Sequence, residues 1–265
     1  MKCFLFALLN LLFVPAFSQS PFDKEIETLF DPALKPFYFG VASGDPHQQD
    51  VIIWTKVWSK DKLPIAVKWE VTKDTLMQEF MGTGEVITDS NSAFTVKVLV
   101  KGLQPNTTYF YRFHTDSASS PVGRTRTAPD TAVSNLRFAV VSCSNYEHGY
   151  FNVYRLIANR NDLNAVIHLG DYIYEYGTPS KSKKLSIRKH IPAHEILTLQ
   201  DYRTRYAQYR LDKDLQEVHR LHPFITVWDD HEIANNCYRD GAGNHQEGEG
   251  DWEVRKAAAK RVYFE

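Results

Sequence analysis

Near residue 130 the hydrophobic period of this chain changes, and that change restricts its fold more than any other feature. Upstream, apolar residues alternate with polar ones: Val67, Trp69 and Val71, then Phe94, Val96, Val98 and Val100, then Tyr109, Tyr111 and Phe113. A repeat of two places each set on one face of a strand. The Gly, Pro, Asn and Asp turns between the runs predict an antiparallel sandwich from about residue 37 to 115. Downstream the texture becomes strand, helix, strand. Leu136 to Ser142 and Ala165 to Leu169 are buried-strand candidates, and Pro223 opens a third, Phe224 to Trp228. Phe151, Tyr154, Ile157 and Ala158 recur at helical spacing, as do Leu199, Tyr202, Tyr206 and Tyr209, a stripe suited to packing. Such alternation implies an α/β layer structure. The polar stretch Thr125 to Thr131 reads as the linker between the two.

The 265 residues suffice for two domains, each with a core. A formal net charge of −1 provides no basic field for nucleic acid. The first twenty residues, MKCFLFALLNLLFVPAFSQS, carry one lysine, a short apolar run and small residues at Ala16 and Ser18, the pattern of a secretory signal. That run is short for a membrane span and no other segment could make one. The expected layout is a signal peptide at 1–18, a β-sandwich at 35–129 and an α/β domain at 135–265, in a secreted or periplasmic protein. Cys3 leaves with the signal. Cys143 and Cys237 remain, and in an oxidising compartment a disulfide between them competes with any ligand role.

All three α/β strands run into polar chemistry: Ser142-Cys143-Ser144-Asn145-Tyr146, Gly170-Asp171-Tyr172-Ile173-Tyr174, and Trp228-Asp229-Asp230-His231-Glu232 with Asn235 and Asn236 after it. Sites in α/β sheets gather beyond the carboxyl ends of strands. Taken singly, Cys143 suits a core position or a disulfide, Asp171 a helix cap, and Asp230 with Glu232 a solvated turn. Together, with His231 beside two carboxylates, they point to metal binding or proton transfer. No GxSxG, HExxH or phosphate-cradling glycine loop is present in the sequence, which disfavours serine hydrolase and P-loop chemistry. The Gly- and acid-rich stretch from Tyr238 to Asp251 fails as a calcium-binding EF-hand, having His245 where glycine is needed and Asp251 where glutamate is needed.

The segments Cys143 to Phe151, His168 to Tyr176 and Trp228 to Asn236 resemble the PhoD-type alkaline phosphatases, secreted members of the calcineurin-like metallophosphoesterase superfamily. The likeness includes Phe39 to Pro46 and Gly250 to Ala258, while Gly102 to Tyr111 resembles a turn and strand of fibronectin-type-III modules. The resemblance implies a fibronectin-III-like N-terminal β-sandwich followed by an α/β metallophosphoesterase domain. It implies one ferric ion with calcium ions nearby, held by Cys143, Asp171, Tyr174, Asp230 and Asn236. Neighbours Asp229 and Asn235 are not separated from Asp230 and Asn236. Asp171 would bridge the metals, Tyr174 would join Cys143 on Fe3+, and Ca2+ would take oxygens of Asp171 and the 230–236 segment. A helical turn after the strand would bring Asp171 and Tyr174 to one side, and Gly170 would let backbone pass close to the metal.

The implied reaction is hydrolysis of phosphomonoesters, with phosphodiesters as a second class, by metal-activated hydroxide, with His231 binding phosphate or assisting the leaving group. The implied partners are phosphate esters. The alternatives from the residues are a non-catalytic extracellular binding module and a disulfide-linked structural protein. The chain ends at Glu265 in a stretch that reads as helix, with only His245 after His231. Relative to the resembled family, whose later loops supply further Asp and His ligands, the α/β domain is expected to be C-terminally incomplete.

Overall fold

The structure, a computed structural model, describes residues 22–179 and 186–265. The expected signal segment and Cys3 lie outside the described residues. After a short helix α1 (Asp23–Glu27) come seven strands: β1 (Val41–Gly44), β2 (Asp50–Lys56), β3 (Ile65–Thr72), β4 (Phe80–Thr88), β5 (Thr95–Lys101), β6 (Thr108–His114) and β7 (Gly123–Arg126). Then follow β8 (Phe138–Val141), α2 (Asn152–Ala158), β9 (Ala165–His168), α3 (Leu199–Arg210), α4 (Lys213–Leu221), β10 (Pro223–Thr226), the two-residue strands β11 (Cys237–Tyr238) and β12 (Gly241–Ala242), and α5 (Trp252–Phe264).

The N-terminal region is a two-sheet sandwich. One sheet is antiparallel, in the order β4-β3-β6-β7. The alternating residues fill its core as their period requires: Val67, Val71, Tyr109, Tyr111 and Phe113 are buried against Val41, Val51, Ile53 and Val96 of the facing sheet. The expected linker begins too early. Thr125 and Arg126 belong to β7, opposite Tyr109 and Thr108, because Thr125 turns inward and is buried.

The facing sheet does not stop at the sandwich. Its order is β5-β2-β1-β10-β9-β8, antiparallel from β5 to β1 and parallel from β1 through β10 and β9 to β8. The seam pairs Ser43 with Pro223 and Gly44 with Phe224. At Gly44 a Cβ would lie 2.9 Å from the Phe224 carbonyl oxygen, so only glycine lets the strands come this close.

On the parallel strands, α2 and α4 cover one face, burying Tyr154, Ala158, Leu215 and Val218 against Val166 and Phe224. The other face is open: Phe138, Val140, Leu169, Ile225 and Val227 are exposed. β8, expected to be buried, is therefore an edge strand covered on one face only. β10 ends at Thr226, two residues before the expected Trp228. The helical stripes fall on α2 and α3 as anticipated.

Candidate metal centre

β9 delivers its chain to the site through Gly170, at φ +102°. A Cβ there would lie 2.5 Å from the backbone N and the Cβ of Asp229. The glycine thus serves a close approach of two strand ends. Three non-glycine residues at the strand ends adopt the left-handed conformation: Cys143 (φ 57°), Asp171 (φ 54°) and Asn236 (φ 55°). Each such residue stores on the order of 1–3 kcal/mol of strain, which persists where surrounding bonds over-determine it. Those bonds are present. Cys143 N–H donates to the Gly170 carbonyl at 3.2 Å, and Ser144 N–H to the Asp171 carbonyl at 2.8 Å. The Glu232 carboxylate accepts from the backbone N–H of Asp171 (3.0 Å), Tyr172 and Asp229 (2.7 Å). Glu232 is thus a buried clamp between two strand ends and not a solvated turn residue.

Among the described residues no helix comes between β9 and α3, so Asp171 caps none and no helical turn brings Tyr174 to it. The left-handed Asp171 and the clamp on residues 171 and 172 bend the chain instead. Tyr174 still arrives, its hydroxyl donating to Asp171 Oδ2 at 3.2 Å. Ligand atoms of Asp171, Asp230 and His231 all lie within 4.8 Å of one another. The Cys143 thiol falls outside that triad but interacts with both the Asp171 carboxylate and the Tyr174 phenol. Asn236 is exposed, and its backbone N–H donates to Asp230 Oδ2. Asp229 is exposed, whereas Asp230 belongs to the triad. Cys143 and Cys237 are both free thiols, so the disulfide alternative is not realised.

Tyr172 packs away from the carboxylates, whereas Tyr176 stands within electrostatic reach of Glu175, Asp230 and Asp171. The buried Tyr172 hydroxyl meets His219 Nε2 at 2.9 Å, and the Tyr176 ring meets the His231 ring edge-on at 5.3 Å.

Electrostatically the cluster is crowded with groups that resist losing a proton. Burial raises Asp171 above the usual carboxylate range, and Asp230 adds to the shift. Burial also raises Tyr174, reinforced by Asp171 and Cys143. One Asp171 oxygen, Oδ1, is buried with no hydrogen-bond partner. An orphaned buried carboxylate oxygen beside a second carboxylate, a phenol and a thiol is a donor set that gains from a cation.

Sequence reasoning passed over Glu175. It is fully buried. Its Oε2 meets His231 Nδ1 at 2.7 Å, and its Oε1 accepts from the Asn235 N–H (2.7 Å) and Asn244 Nδ2 (2.9 Å). Burial by itself would lower the His231 pKa, but the hydrogen bond and charge of Glu175, with Asp171 and Asp230, raise it overall. A carboxylate amid three aromatic or aliphatic neighbours in Ile173-Tyr174-Glu175-Tyr176 was the available signal. Asn244 is brought in by the Gly-rich loop, which the buried Arg255 pins through the Asn244 carbonyl (2.9 Å), Glu195 (3.0 Å) and the Tyr202 hydroxyl (3.1 Å).

The profile of the PhoD-like phosphatase family matches residues 138–265, and that of the family's N-terminal domain matches residues 26–129. The chain belongs to the PhoD-like phosphatase family. It is 42% identical over 241 residues to alkaline phosphatase D of Bacillus subtilis (strain 168), an alignment covering 87% of this chain and 41% of that relative. It matches the solved structure of PhoD with a TM-score of 0.78 and 40% identity, over 88% of this chain and 46% of that one. The chain therefore spans less than half the length of these relatives. Its architecture is that of the family: a β-sandwich region followed by a PhoD-like α/β region.

Proposed function

We propose that this chain carries the metal-binding core of a secreted phosphatase that hydrolyses phosphomonoesters and, as a second class, phosphodiesters. The observation that carries the reading is the convergence of Asp171, Asp230 and His231, with the orphaned Asp171 Oδ1 among them, in a member of a phosphatase family. Cys143, Asp171 and Tyr174 would hold a ferric ion, whose hardness suits carboxylate and phenolate oxygen. Asp171, Asp230 and the amide oxygen of Asn236 would hold calcium. Bound there, such cations supply Lewis acidity, lowering the pKa of water and offsetting charge on phosphate oxygens.

The chain's own residues do the rest. Glu175 orients His231 by accepting from Nδ1–H, which leaves Nε2 to meet a phosphate oxygen or the leaving group. Glu232 holds the backbone at Asp171 and Asp229 so that the carboxylates stay in place without reorganising. Secretion rests on the N-terminal pattern, and among the described residues no helix is long and apolar enough to cross a membrane. The binding-module alternative has no observation in its favour.

The test is elemental analysis of the purified chain for iron and calcium, alongside Tyr174→Phe and Cys143→Ser, with phosphatase activity followed in parallel. Loss of iron, and of a visible tyrosinate-to-iron absorption band, in Tyr174→Phe supports the assignment. Unchanged iron in both variants overturns it.

A further inference from the structure

The Gly- and acid-rich stretch from Tyr238 to Asp251 supplies no residue to the triad of Asp171, Asp230 and His231. One of its side chains nevertheless reaches the partner of His231. β11 and β12 form a short ladder, Cys237 opposite Ala242 and Tyr238 opposite Gly241. Gly243 N–H continues it to the Asn236 carbonyl at 3.2 Å, and Asn244 N–H to the Asn235 carbonyl at 3.1 Å. The hairpin thus delivers Asn244 beside Asn235, where it is 1% exposed.

There Asn244 Nδ2 donates to Glu175 Oε1 at 2.9 Å and to Glu195 Oε1 at 2.8 Å. A carboxamide nitrogen carries two hydrogens, and here both go to carboxylates, which also fixes the way the amide faces. Two carboxylates meeting at one buried point repel, and Asn244 separates them with a donor to each. The consequence falls on His231. Glu175 Oε1 is held twice, by Asn244 and by the Asn235 N–H at 2.7 Å, so Oε2 is left for His231 Nδ1 at 2.7 Å. With only the Asn235 bond remaining, the carboxylate can turn about its terminal torsion, which is intrinsically soft, and the imidazole loses its fixed acceptor.

The side chain is itself held in place from the far side. Arg255, 1% exposed, donates through Nη2 to Glu195 at 3.0 Å and through Nη1 to the Asn244 carbonyl at 2.9 Å. Those backbone bonds anchor the loop. The Asn244 side chain turns away from its own loop, to carboxylates of the segment that precedes α3.

We propose that Asn244 is a positioning residue for His231: it fixes the Glu175 carboxylate so that the imidazole keeps Nε2 free for a phosphate oxygen or the leaving group, a role that rests on the phosphatase reading of the site.

The test is proton exchange in the metal-free, 15N-labelled chain, followed by NMR. It needs no turnover, so it judges the positioning role apart from the phosphatase reading. In the unmutated chain the His231 Nδ1–H and the two Asn244 Nδ2 protons should be protected from solvent together. Asn244→Ala should speed exchange of the His231 proton by at least about ten-fold. Asn244→Asp, which keeps the shape and removes the donors, should protect it no better. Thr198→Ala, which removes the side-chain cap of α3, should leave that proton as it is, separating positioning from a general loss of stability. Rapid exchange of either group in the unmutated chain, an unchanged His231 proton in either Asn244 variant, or an equal loss in Thr198→Ala would each overturn the proposal.

Discussion

At the scale of single residues, Glu175 supports as much of the candidate site as Glu232 does. It accepts three hydrogen bonds from residues 56, 60 and 69 positions away. Removing it as Glu175→Ala leaves His231, the Asn235 N–H and Asn244 without their acceptor in a buried pocket. That should destabilise the chain by about 3 kcal/mol, read as a lowered guanidinium midpoint. Glu175→Gln keeps the shape but swaps an acceptor for a donor facing His231. The expected outcome is a smaller loss of stability with a changed imidazole 15N shift at His231, measured by NMR. The contrast explains what was readable. Cys143, Asp171, Tyr174, Asp230 and His231 stand out because each sits just past an apolar run, a short-range pattern. Glu175 and Glu232 act through backbone and side-chain partners on other strand ends, which no local pattern encodes.

Among the elements, α3 shows where periodicity runs out. Its tyrosine stripe was legible, but the helix is buried almost all round, with Arg205, Gln208 and Arg210 inside. Arg205 is fully buried and donates to the carbonyls of Tyr176 (3.0 Å), Ile191 (3.3 Å) and Pro192 (2.9 Å), as well as that of Tyr174. It fastens the 174–176 segment beside the metal centre to the 191–192 segment that leads into α3. Arg205→Ala should therefore speed amide hydrogen exchange in the 174–178 and 191–197 segments ahead of the sandwich strands. The start of α3 is set locally: Thr198 and Asp201 form a reciprocal capping box. Thr198→Ala should cost about 1 kcal/mol in thermal or urea melts. β8 was misjudged for the opposite reason. Its residues are apolar enough for burial, but apolarity alone does not say whether one face of a strand or both is covered.

For the molecule as a whole, acid should be destabilising well before the carboxylates are protonated. Burial lowers His168 to about 4, and burial with the Arg205 charge lowers His190 to about 3. Burial also pushes His219 well below its ordinary value. These groups are neutral in the fold, whereas the unfolded chain takes up protons near pH 6.5. The stability these three groups contribute is thus complete above that pH and falls as pH drops from about 6.5 toward 4, where the unfolded state binds more protons. Urea midpoints should decline across that window, and His190→Gln should reduce the slope there by up to about 1.4 kcal/mol per pH unit.

The seam between β1 and β10 has a consequence for how the chain comes apart. Strands from both halves share one ladder, and the flanking bonds of Arg124 to the Leu221 carbonyl (3.0 Å) and Arg220 to the Val122 carbonyl (2.9 Å) reinforce it. The sandwich and the metal-binding half should melt together in one calorimetric transition rather than in sequence. Gly44→Ala drives a methyl group into the Phe224 carbonyl and should split that single peak in two. Filling the metal centre would then be felt as far as the distant sandwich: a cation bound at Asp171 would raise the melting temperature of strands that never touch it.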